Sequence, residues 1–291
     1  MIGLGQGYPV KYFLCDELLQ EIMDDQQFYQ LLDRFGLSRA GYKKVRKGVK
    51  KRISRHMQQL RCMNMTAYLN ALDKDDEAKK ECERLLTVSI SRFFRDWRLW
   101  QALEKDIIPD LVKKEKEKIN VYSAGCACGE EVYSFKIVWD RLKKSYACLP
   151  KLHITAIDIN PVYIERAKAG IYSYSSLKEV PIIFRSIYFK KKAGGKRFSV
   201  ISSLKENITW NVQHFFSNLR DCRFHIILLR NNLLTYYQDE LKKKAFKHIL
   251  NGLAPSGFLI IGSHENLPFD TPDLAPFSSC SYIYKNRKKN K

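Results

Sequence analysis

The spacing of hydrophobic and polar positions changes part-way along the chain, and this change predicts two regions of different secondary structure. From residue 11 to about 88 the apolar residues recur at helical spacing, in DELLQEIMDDQQFYQLLDRFG, a basic stretch and MTAYLNALDKDDEAKKECERLLTV. Asp16 and Thr66 are predicted helix starts and Gly36 a helix stop, because these residue types favour those positions. A further helix is predicted over RDWRLWQALEKDIIPDLV, ending near Pro109.

From about residue 118 short apolar runs alternate with helical patterns, which is typical of a mostly parallel sheet flanked by helices. The strand candidates, in chain order, are INVYSA, LHITAID, ITWNVQ, FHIILL, GFLIIGS and SYIYK. The segment 182–206 interrupts this alternation. Its Gly194-Gly195 pair stands between two β-rich runs, so we expect an antiparallel hairpin inserted into the α/β region.

Length and composition limit the class of protein. The 291 residues suffice for one large domain and a smaller companion. The sequence shows no apolar run long enough to cross a membrane and no charged start followed by an apolar core, so we expect neither a membrane helix nor a secretion signal. Cys126 and Cys128 form a CxC pair that could ligate a metal. No further Cys or His cluster stands nearby, which favours reduced thiols filling a loop in a cytoplasmic protein, without metal.

Charge is concentrated in one segment of this basic chain, whose formal net charge is +20. Arg39 to Arg61 contains ten Lys or Arg and no Asp or Glu. Such a cluster should attract a polyanion or an acidic protein surface. Nucleic acid is the competing interpretation, but the sequence has no recognisable nucleic-acid-binding motif and no interleaved stacking aromatics, so we expect none. A solvated helix face without a partner remains an alternative.

The stretch VYSAGCACGEEVYS, residues 121–134, predicts a strand, a glycine turn and a helix. A nucleotide-like ligand meets backbone amides at a helix start in this arrangement. Gly125 and Gly129 would let the backbone pass close to such a ligand, where a side chain would obstruct it. A tight turn without a ligand is equally consistent with the glycine pair alone.

Five stretches together carry a resemblance that covers the chain from about residue 30 to 284. They are SISRFFRD at 89–96, SAGCACGEEVYS at 123–134, AIDIN at 156–160, LLRNNLLTYY at 228–237 and LAPSGFLIIGSHENLP at 253–268. In this order and spacing they resemble the chemotaxis receptor methyltransferases, which are S-adenosylmethionine-dependent protein-glutamate O-methyltransferases.

The resemblance implies an α/β fold, a Rossmann-like S-adenosylmethionine-dependent methyltransferase with an inserted small antiparallel β-subdomain and an all-helical N-terminal domain. The expected domains are 1–88, helical, basic and facing the substrate, and 89–291, the methyltransferase domain. Within the second we expect a linker helix at 89–115 and the hairpin insertion at about 182–206.

The resemblance also implies which residues contact the cofactor, S-adenosylmethionine, or its product S-adenosylhomocysteine. These are Ser89, Ser91, Arg95, Gly125, Gly129, Glu131, Asp158, His214, Phe215, Arg230 and Asn231. Asp158 follows an apolar strand, where an acid can accept both ribose hydroxyls; a helix N-cap is its alternative. Glu131 would meet the cofactor's ammonium group, although either neighbouring glutamate could merely favour the helix N-terminus.

Two pairs of predicted cofactor-binding residues depart from the family pattern. His214-Phe215 stands where relatives carry Asn-Leu. Phe215 could pack on the adenine and His214 could hydrogen-bond it, or both could be core residues. Ser89 and Ser91 stand where relatives often carry Asn and Thr, and they keep the hydrogen-bonding capacity of those residues.

Arg95 and Tyr236 are the residues to which the resemblance assigns the reaction. A side-chain carboxylate is already ionised near neutral pH, so methyl transfer to it needs placement rather than a general base. Arg95 could hold the incoming carboxylate by a charge-assisted hydrogen bond; a structural pair with Asp96 or another acid is its alternative. Without a gap the family's tyrosine position falls on Thr235. One inserted residue after Asn231 moves it to Tyr236, which we prefer because the following helix then also aligns.

The implied partners are the cytoplasmic domains of chemoreceptors, the methyl-accepting proteins, whose methylated glutamates lie on long acidic helices. The Arg39–Arg61 cluster would complement such a surface, and no direct membrane insertion is expected. Two alternatives stay open: the same fold acting on a different protein or a small carboxylate, and a catalytically weak module that binds the cofactor and serves for docking.

Overall fold

The computed structural model describes residues 23–216, 219, 223–277 and 280–288. These residues form two compact units. The first contains the described residues up to Phe35 together with Tyr42–Leu86, and the second contains Gly36–Gly41 and the described residues from Thr87 onward. The helix start predicted at Asp16 lies outside the described residues. Among the described helices, none combines the length and apolarity that crossing a membrane requires.

The first unit is built from helices. In chain order the helices of this region are α1 (Asp25–Arg34), α2 (Arg39–Tyr42), α3 (Arg46–Gln59), α4 (Met65–Lys74) and α5 (Asp76–Leu86). Helix α1 ends as the sequence predicts, because Gly36 follows with a φ of +62°. The start predicted at Thr66 is wrong by two residues. Asn64 is the N-cap, and its side chain accepts a hydrogen bond from the backbone N–H of Ala67.

The basic helix α3 has distinct buried and charged sides. Val49, Ile53 and Met57 are fully buried at four-residue spacing. Lys47, Lys51 and Arg55 are exposed, also at four-residue spacing, which aligns them along another side of the helix. The predicted basic cluster therefore includes a continuous row of exposed cationic side chains.

The second unit is organised around a seven-stranded sheet with the order β6-β2-β1-β7-β8-β10-β9. Its strands are β1 (Lys118–Ala124), β2 (Lys151–Asp158), β6 (Ile208–Val212), β7 (Phe224–Leu229), β8 (Leu253–Ile261), β9 (Leu274–Pro276) and β10 (Ile283–Asn286). The pairings from β6 through β8 are parallel, and β10 pairs antiparallel with both β8 and β9. All of the predicted strand segments form strands, and β9 is an additional short edge strand.

Helices cover both faces of this sheet. Alternate residues of β1 belong to different clusters: Ile119 and Val121 pack in one with helix α8 (Glu130–Leu142), and Tyr122 and Ala124 in the other with helix α12 (Asp239–Asn251). The other helices of this unit are α6 (Trp97–Ala102), α7 (Ile108–Lys114), α9 (Pro161–Ala169), α10 (Ile182–Tyr188) and α11 (Leu233–Tyr236). This two-sided packing is the predicted α/β, Rossmann-like fold.

The linker helix begins later than predicted, and its end agrees with the expected segment 89–115 but not with an end near Pro109. Residues 89–96 are not helical, and the helix begins with α6 at Trp97. It does not end near Pro109 but continues to Lys114. A π-helical segment, Leu103–Ile107, separates α6 from α7, so that Pro109 stands in the first turn of α7. The proline thus stands directly after the π-helical segment, where the regular hydrogen-bond pattern of the helix is already interrupted.

A second, three-stranded sheet contains the predicted hairpin. Its strands are β3 (Ile171–Ser173), β4 (Phe189–Lys191) and β5 (Arg197–Val200), in the order β3-β5-β4. Both pairings are antiparallel. Gly194 and Gly195 form the turn between β4 and β5 with φ values of +79° and +70°, which glycine adopts without steric cost. The inserted antiparallel β-subdomain is confirmed.

Candidate active site

A cavity of about 280 Å³ lies at the carboxyl edge of the parallel strands. The strands β1, β2, β7 and β8 all end there, so residues distant in sequence meet at one place. The lining residues are Val88, Ser89, Ile90, Ser91, Arg92, Arg95, Gly125, Cys126, Ala127, Glu131, Asp158, Arg230, Asn231, Asn232, Thr235, Tyr236, His264 and Glu265.

The two glycines of the β1–α8 turn have different surroundings. Gly125 lines the cavity with a φ of +78°, and a Cβ there would lie 1.9 Å from the side-chain nitrogen of Asn232. Gly129 does not line the cavity. A Cβ at Gly129 would lie 2.9 Å from side-chain atoms of Ala167 and Trp210. The turn therefore needs glycine at 125 beside the cavity, and at 129 for the packing of the turn against α9 and β6.

Asp158 is the last residue of β2, and both of its carboxylate oxygens accept backbone hydrogen bonds. Oδ2 accepts from the N–H of Ala127 at 3.0 Å, and Oδ1 from that of Asn160 at 2.9 Å. Burial raises the pKa of Asp158 to about 6, although these amides favour its charged form. The N-cap of α9 is Asn160, whose side chain accepts from the N–H of Val162. The alternative role of Asp158 as that N-cap is therefore wrong.

Glu131 and Arg230 form a buried ion pair on the cavity wall. Arg230 Nη1 donates to Glu131 Oε2 at 2.8 Å, and Nη2 donates to Asp96 Oδ2 at 2.5 Å. Glu131 Oε1 accepts from the Ser123 hydroxyl at 3.0 Å. The neighbouring Glu130 is buried and is not among the lining residues, and burial raises its pKa. Glu131 is thus the one of the two neighbouring glutamates that lines the cavity. Because Arg230 binds both Glu131 and Asp96, it connects the segment before α6 to the cavity wall.

Arg95 presents its guanidinium to the same cavity. Nη1 donates to the carbonyl oxygen of Ile90 at 2.9 Å, and Nη2 lies 3.4 Å from Asn231 Oδ1. Asp96, the acid next to it in sequence, binds Arg230 instead. Across the described part of the chain, no carboxylate lies within ion-pair distance of Arg95. The alternative of a structural pair between Arg95 and Asp96 is therefore wrong.

Thr235 and Tyr236, the two candidates for the family's tyrosine position, both line the cavity from α11. The Thr235 hydroxyl donates to Glu265 Oε1 at 2.5 Å. Burial raises the pKa of Tyr236, and the nearby charge of Arg95 opposes this rise. The threonine hydroxyl is thus bonded to Glu265, and the charge of Arg95 acts on the Tyr236 hydroxyl. This arrangement favours the alignment with one inserted residue.

His214 and Phe215 follow β6 but are not among the residues lining the cavity. Phe215 is buried in the cluster that contains α12 residues. The His214 ring stacks on Phe216 with centroids 4.7 Å apart, and its Nε2 lies 3.4 Å from the hydroxyl of Tyr237. Burial lowers the pKa of His214. Because aromatic neighbours surround both residues, their placement fits the core alternative, and a role in adenine binding stays a prediction.

Asn232 and Glu265 are cavity residues to which the sequence analysis assigned no role. Glu265 belongs to the GSHE segment that contributed to the resemblance, so its motif was visible while its contacts were not. Asn232 is the residue that the preferred alignment treats as part of an insertion. Among the described residues, no group of three or more His, Cys, Asp or Glu is arranged to hold a metal ion.

In a comparison with known proteins, most of the second structural unit matches one family model. The model, described as the CheR methyltransferase SAM-binding domain, matches residues 89–283. A chemotaxis protein methyltransferase of Listeria monocytogenes is 28% identical over 250 residues, 85% of this chain and 92% of that protein. One from Vibrio parahaemolyticus is 28% identical over 184 residues, 62% of this chain and 66% of that protein.

Among solved structures, the N-methyltransferase NodS of Bradyrhizobium japonicum in complex with S-adenosyl-L-homocysteine is similar at 14% identity. The match has a TM-score of 0.35 and covers 67% of this chain and 94% of that one.

Proposed function

The chain belongs to the CheR methyltransferase family, and from this premise we propose that it methylates glutamate side chains on the cytoplasmic helices of chemoreceptors. The family's cofactor is S-adenosylmethionine, and the chain is an S-adenosylmethionine-dependent methyltransferase. The products in the proposal are a glutamate methyl ester and S-adenosylhomocysteine. The proposed place of action is the cytoplasm.

The cavity residues fit this cofactor. S-adenosylmethionine supplies a methyl group on a sulfonium when it is bound, and the molecule also carries an ammonium group and a ribose diol. Asp158 offers a carboxylate at a strand end, where ribose hydroxyls are accepted in comparable folds. Glu131 offers a carboxylate suited to an ammonium group. Gly125 lines the cavity and lets the Asn232 side chain lie directly against its backbone.

The position of Arg95 is the observation that carries the proposed acceptor. Its guanidinium lines the cavity with no carboxylate partner in the described part of the chain. An ionised glutamate is the natural ligand for such a group, and the charge-assisted hydrogen bond would hold its oxygen in place. No proton has to be removed from the acceptor at neutral pH, so placement is the main contribution required of the protein. Tyr236, which lines the same cavity, would contribute a second polar contact.

The exposed row Lys47, Lys51 and Arg55 on α3 supports an acidic protein as partner. Long-range attraction between this row and an acidic helix would raise the rate of encounter. The family membership makes chemoreceptor helices the candidate we put forward.

The test is methyl transfer from labelled S-adenosylmethionine to purified receptor cytoplasmic fragments from the source organism. Calorimetry with S-adenosylhomocysteine measures cofactor-site binding separately. We expect base-labile label in the fragments and its loss when the acceptor glutamates are changed to glutamine. Binding without transfer to any fragment would contradict the proposal and favour a docking module. Transfer only to another protein or a small carboxylate would favour the alternative in which the same fold acts on a different acceptor.

A further inference from the structure

Glu265 lies in the turn after β8, and its carboxylate accepts three hydrogen bonds from the segments that line the cavity. Oε2 accepts from the backbone N–H of Asn231 at 2.9 Å and from that of Gly262 at 2.7 Å. Oε1 accepts from the Thr235 hydroxyl at 2.5 Å. One side chain thereby ties the end of β8 to both ends of the segment 231–235. Such a carboxylate is a stronger acceptor than a neutral group in the same place.

The backbone held by Glu265 is in an uncommon conformation. Asn231 has a φ of 52°, in the left-handed region that non-glycine residues seldom occupy. Its N–H points to Glu265, so the carboxylate favours this conformation over the ordinary ones. Gly262 permits the close approach, because a Cβ there would lie 2.7 Å from Glu265 Oε2 and 2.8 Å from Asn231 Oδ1. The geometry around the carboxylate therefore specifies where the Asn231 side chain goes.

The side chain of Asn231, held in this position, in turn contacts Arg95. Its Oδ1 is 3.4 Å from Arg95 Nη2, and the same guanidinium donates to the carbonyl oxygen of Ile90. Both contacts are neutral acceptors, so the orientation of Arg95 depends on where the amide of Asn231 is held. A small displacement of a substrate-holding group lowers turnover far more than it lowers stability. Glu265, Asn231 and Arg95 thus form a continuous chain of contacts.

We propose that Glu265 is a positioning residue of the methyl transfer, acting through Asn231 to set the orientation of the Arg95 guanidinium. This inference rests on the proposed function, in which Arg95 holds the acceptor carboxylate. Glu265 makes no contact with the acceptor in this account. It fixes the backbone of Asn231 and so restricts the directions that Arg95 can take.

The test compares Glu265→Ala with the conservative Glu265→Gln. The glutamine oxygen can accept from both backbone amides, and its NH₂ can donate to Thr235, whose hydroxyl is also an acceptor. We expect Glu265→Ala to lower kcat by about tenfold or more and Glu265→Gln to restore most of that loss. S-adenosylhomocysteine affinity and the thermal midpoint are measured for both. Asp270→Ala, which removes an exposed carboxylate from the same loop region, is the matched control.

A double-mutant cycle distinguishes positioning from general destabilisation. If Glu265 acts through Asn231, Glu265→Ala in an Asn231→Ala background should cost less than about threefold further in kcat. Additive losses in the double variant would overturn the proposal. A kcat of Glu265→Ala within about threefold of that of the wild-type protein would also overturn the proposal.

A spectroscopic measurement decides the question without an acceptor. In arginine-labelled protein with S-adenosylhomocysteine, the Arg95 guanidinium signals, assigned with Arg95→Lys, should be resolved and should broaden or merge in Glu265→Ala. Unchanged signals would contradict the positioning role. If the unchanged protein transfers no methyl group to receptor fragments, the proposed function fails, while these signals still report on Glu265.

Discussion

Asp158 shows how a single residue serves two opposed requirements. Its carboxylate lines the cavity, where the proposal has it accept ribose hydroxyls, yet its burial disfavours the charged form. Backbone amides from Ala127 and Asn160 offset part of that penalty. The residue consequently titrates closer to neutrality than an exposed aspartate does.

We expect the pKa of Asp158, about 6, to govern cofactor affinity in mildly acidic solution. Only the carboxylate can accept two ribose hydroxyls, so S-adenosylhomocysteine binding should weaken by up to about tenfold for each pH unit below 6. Calorimetry from about pH 5 to pH 8 measures this. Asp158→Asn, which cannot titrate, should bind weakly with no such dependence. If the affinity of Asp158→Asn for S-adenosylhomocysteine kept the same dependence on pH, the titrating group would be a residue other than Asp158.

The same shift predicts how stability changes in the absence of ligand. A carboxyl group whose pKa is raised in the folded state contributes stability that is present below its unfolded pKa of about 3.8 and is lost as the pH rises through about 6. Relative to Asp158→Asn, the unchanged protein should therefore lose stability between these values. Denaturant unfolding of the two proteins at each pH gives the difference directly. A constant difference across the window would contradict the assignment.

Arg230 is the residue whose removal should most affect stability. Its side chain is 4% exposed and pairs with Asp96 and Glu131. Arg230→Met would leave two partly buried carboxylates without their counter-charge, which costs about 3–5 kcal/mol in comparable sites. Lys168→Met removes half of the exposed Lys168–Glu165 pair and should change the free energy of unfolding by less than about 1 kcal/mol. Equal effects of the two changes would contradict this account.

At the residue scale, the sequence located side chains that follow directly from a motif and a strand end. Asp158, Arg95 and Tyr236 line the cavity because each stands at or just beyond an element whose period was readable. Gly129 and His214 were also expected there. Their surroundings depend on Trp210, Phe216 and other residues distant from the motif, and contacts of that kind leave no local signal.

Among the elements, the short segment from Asn231 to Tyr236 follows β7 and lines the cavity. Asn231 has left-handed backbone, Asn232 has its side chain against Gly125, and α11 then begins at Leu233. One residue more or less before α11 changes which side chain faces the cavity. The sequence alone left two alignments open for this reason, and the hydrogen bond of Thr235 to Glu265 favours one of them.

We predict that Tyr236→Phe slows turnover more than Thr235→Val. The tyrosine lines the cavity with Arg95, whose charge opposes the rise of its pKa on burial and where the acceptor is proposed to bind, whereas the threonine hydroxyl supplies one of three bonds to Glu265. The expected losses in kcat are about tenfold or more for the first and smaller for the second. Single-turnover transfer with saturating cofactor measures both. Equal or reversed effects would favour the ungapped alignment, in which the family's tyrosine position falls on Thr235.

The linker helix shows why element boundaries were harder to predict than element types. Its apolar spacing was correct from Trp97 onward, but the proline suggested an end near 109. The π-helical segment Leu103–Ile107 shifts the register before the proline. The hairpin was predicted with its turn because two consecutive glycines at positive φ are a direct local signal. A signal confined to a few residues, such as the glycine pair, could be recognised in the sequence. The π-helical segment that precedes Pro109 could not.

At the scale of the whole molecule, charge is the property that the sequence predicts most directly. The excess of 20 positive charges follows from composition, and the exposed row on α3 follows from the helical period. Neither depends on long-range packing. What composition could not give is the partner's identity, since any acidic surface of suitable shape is attracted by the same field.

This charge predicts a selective effect of salt on the encounter with the acceptor. In Lys47→Glu/Lys51→Glu/Arg55→Glu, kcat/KM for receptor fragments should fall by about tenfold or more at low ionic strength, and the salt dependence should weaken. Cofactor binding and kcat at saturating acceptor should change little, because the row belongs to the helical unit and not to the cavity lining. Lys113→Glu/Lys143→Glu/Lys168→Glu makes the same net change on the methyltransferase unit. If that control lowers kcat/KM as much as the α3 variant does, the attraction comes from overall charge and α3 has no special part in binding the acceptor.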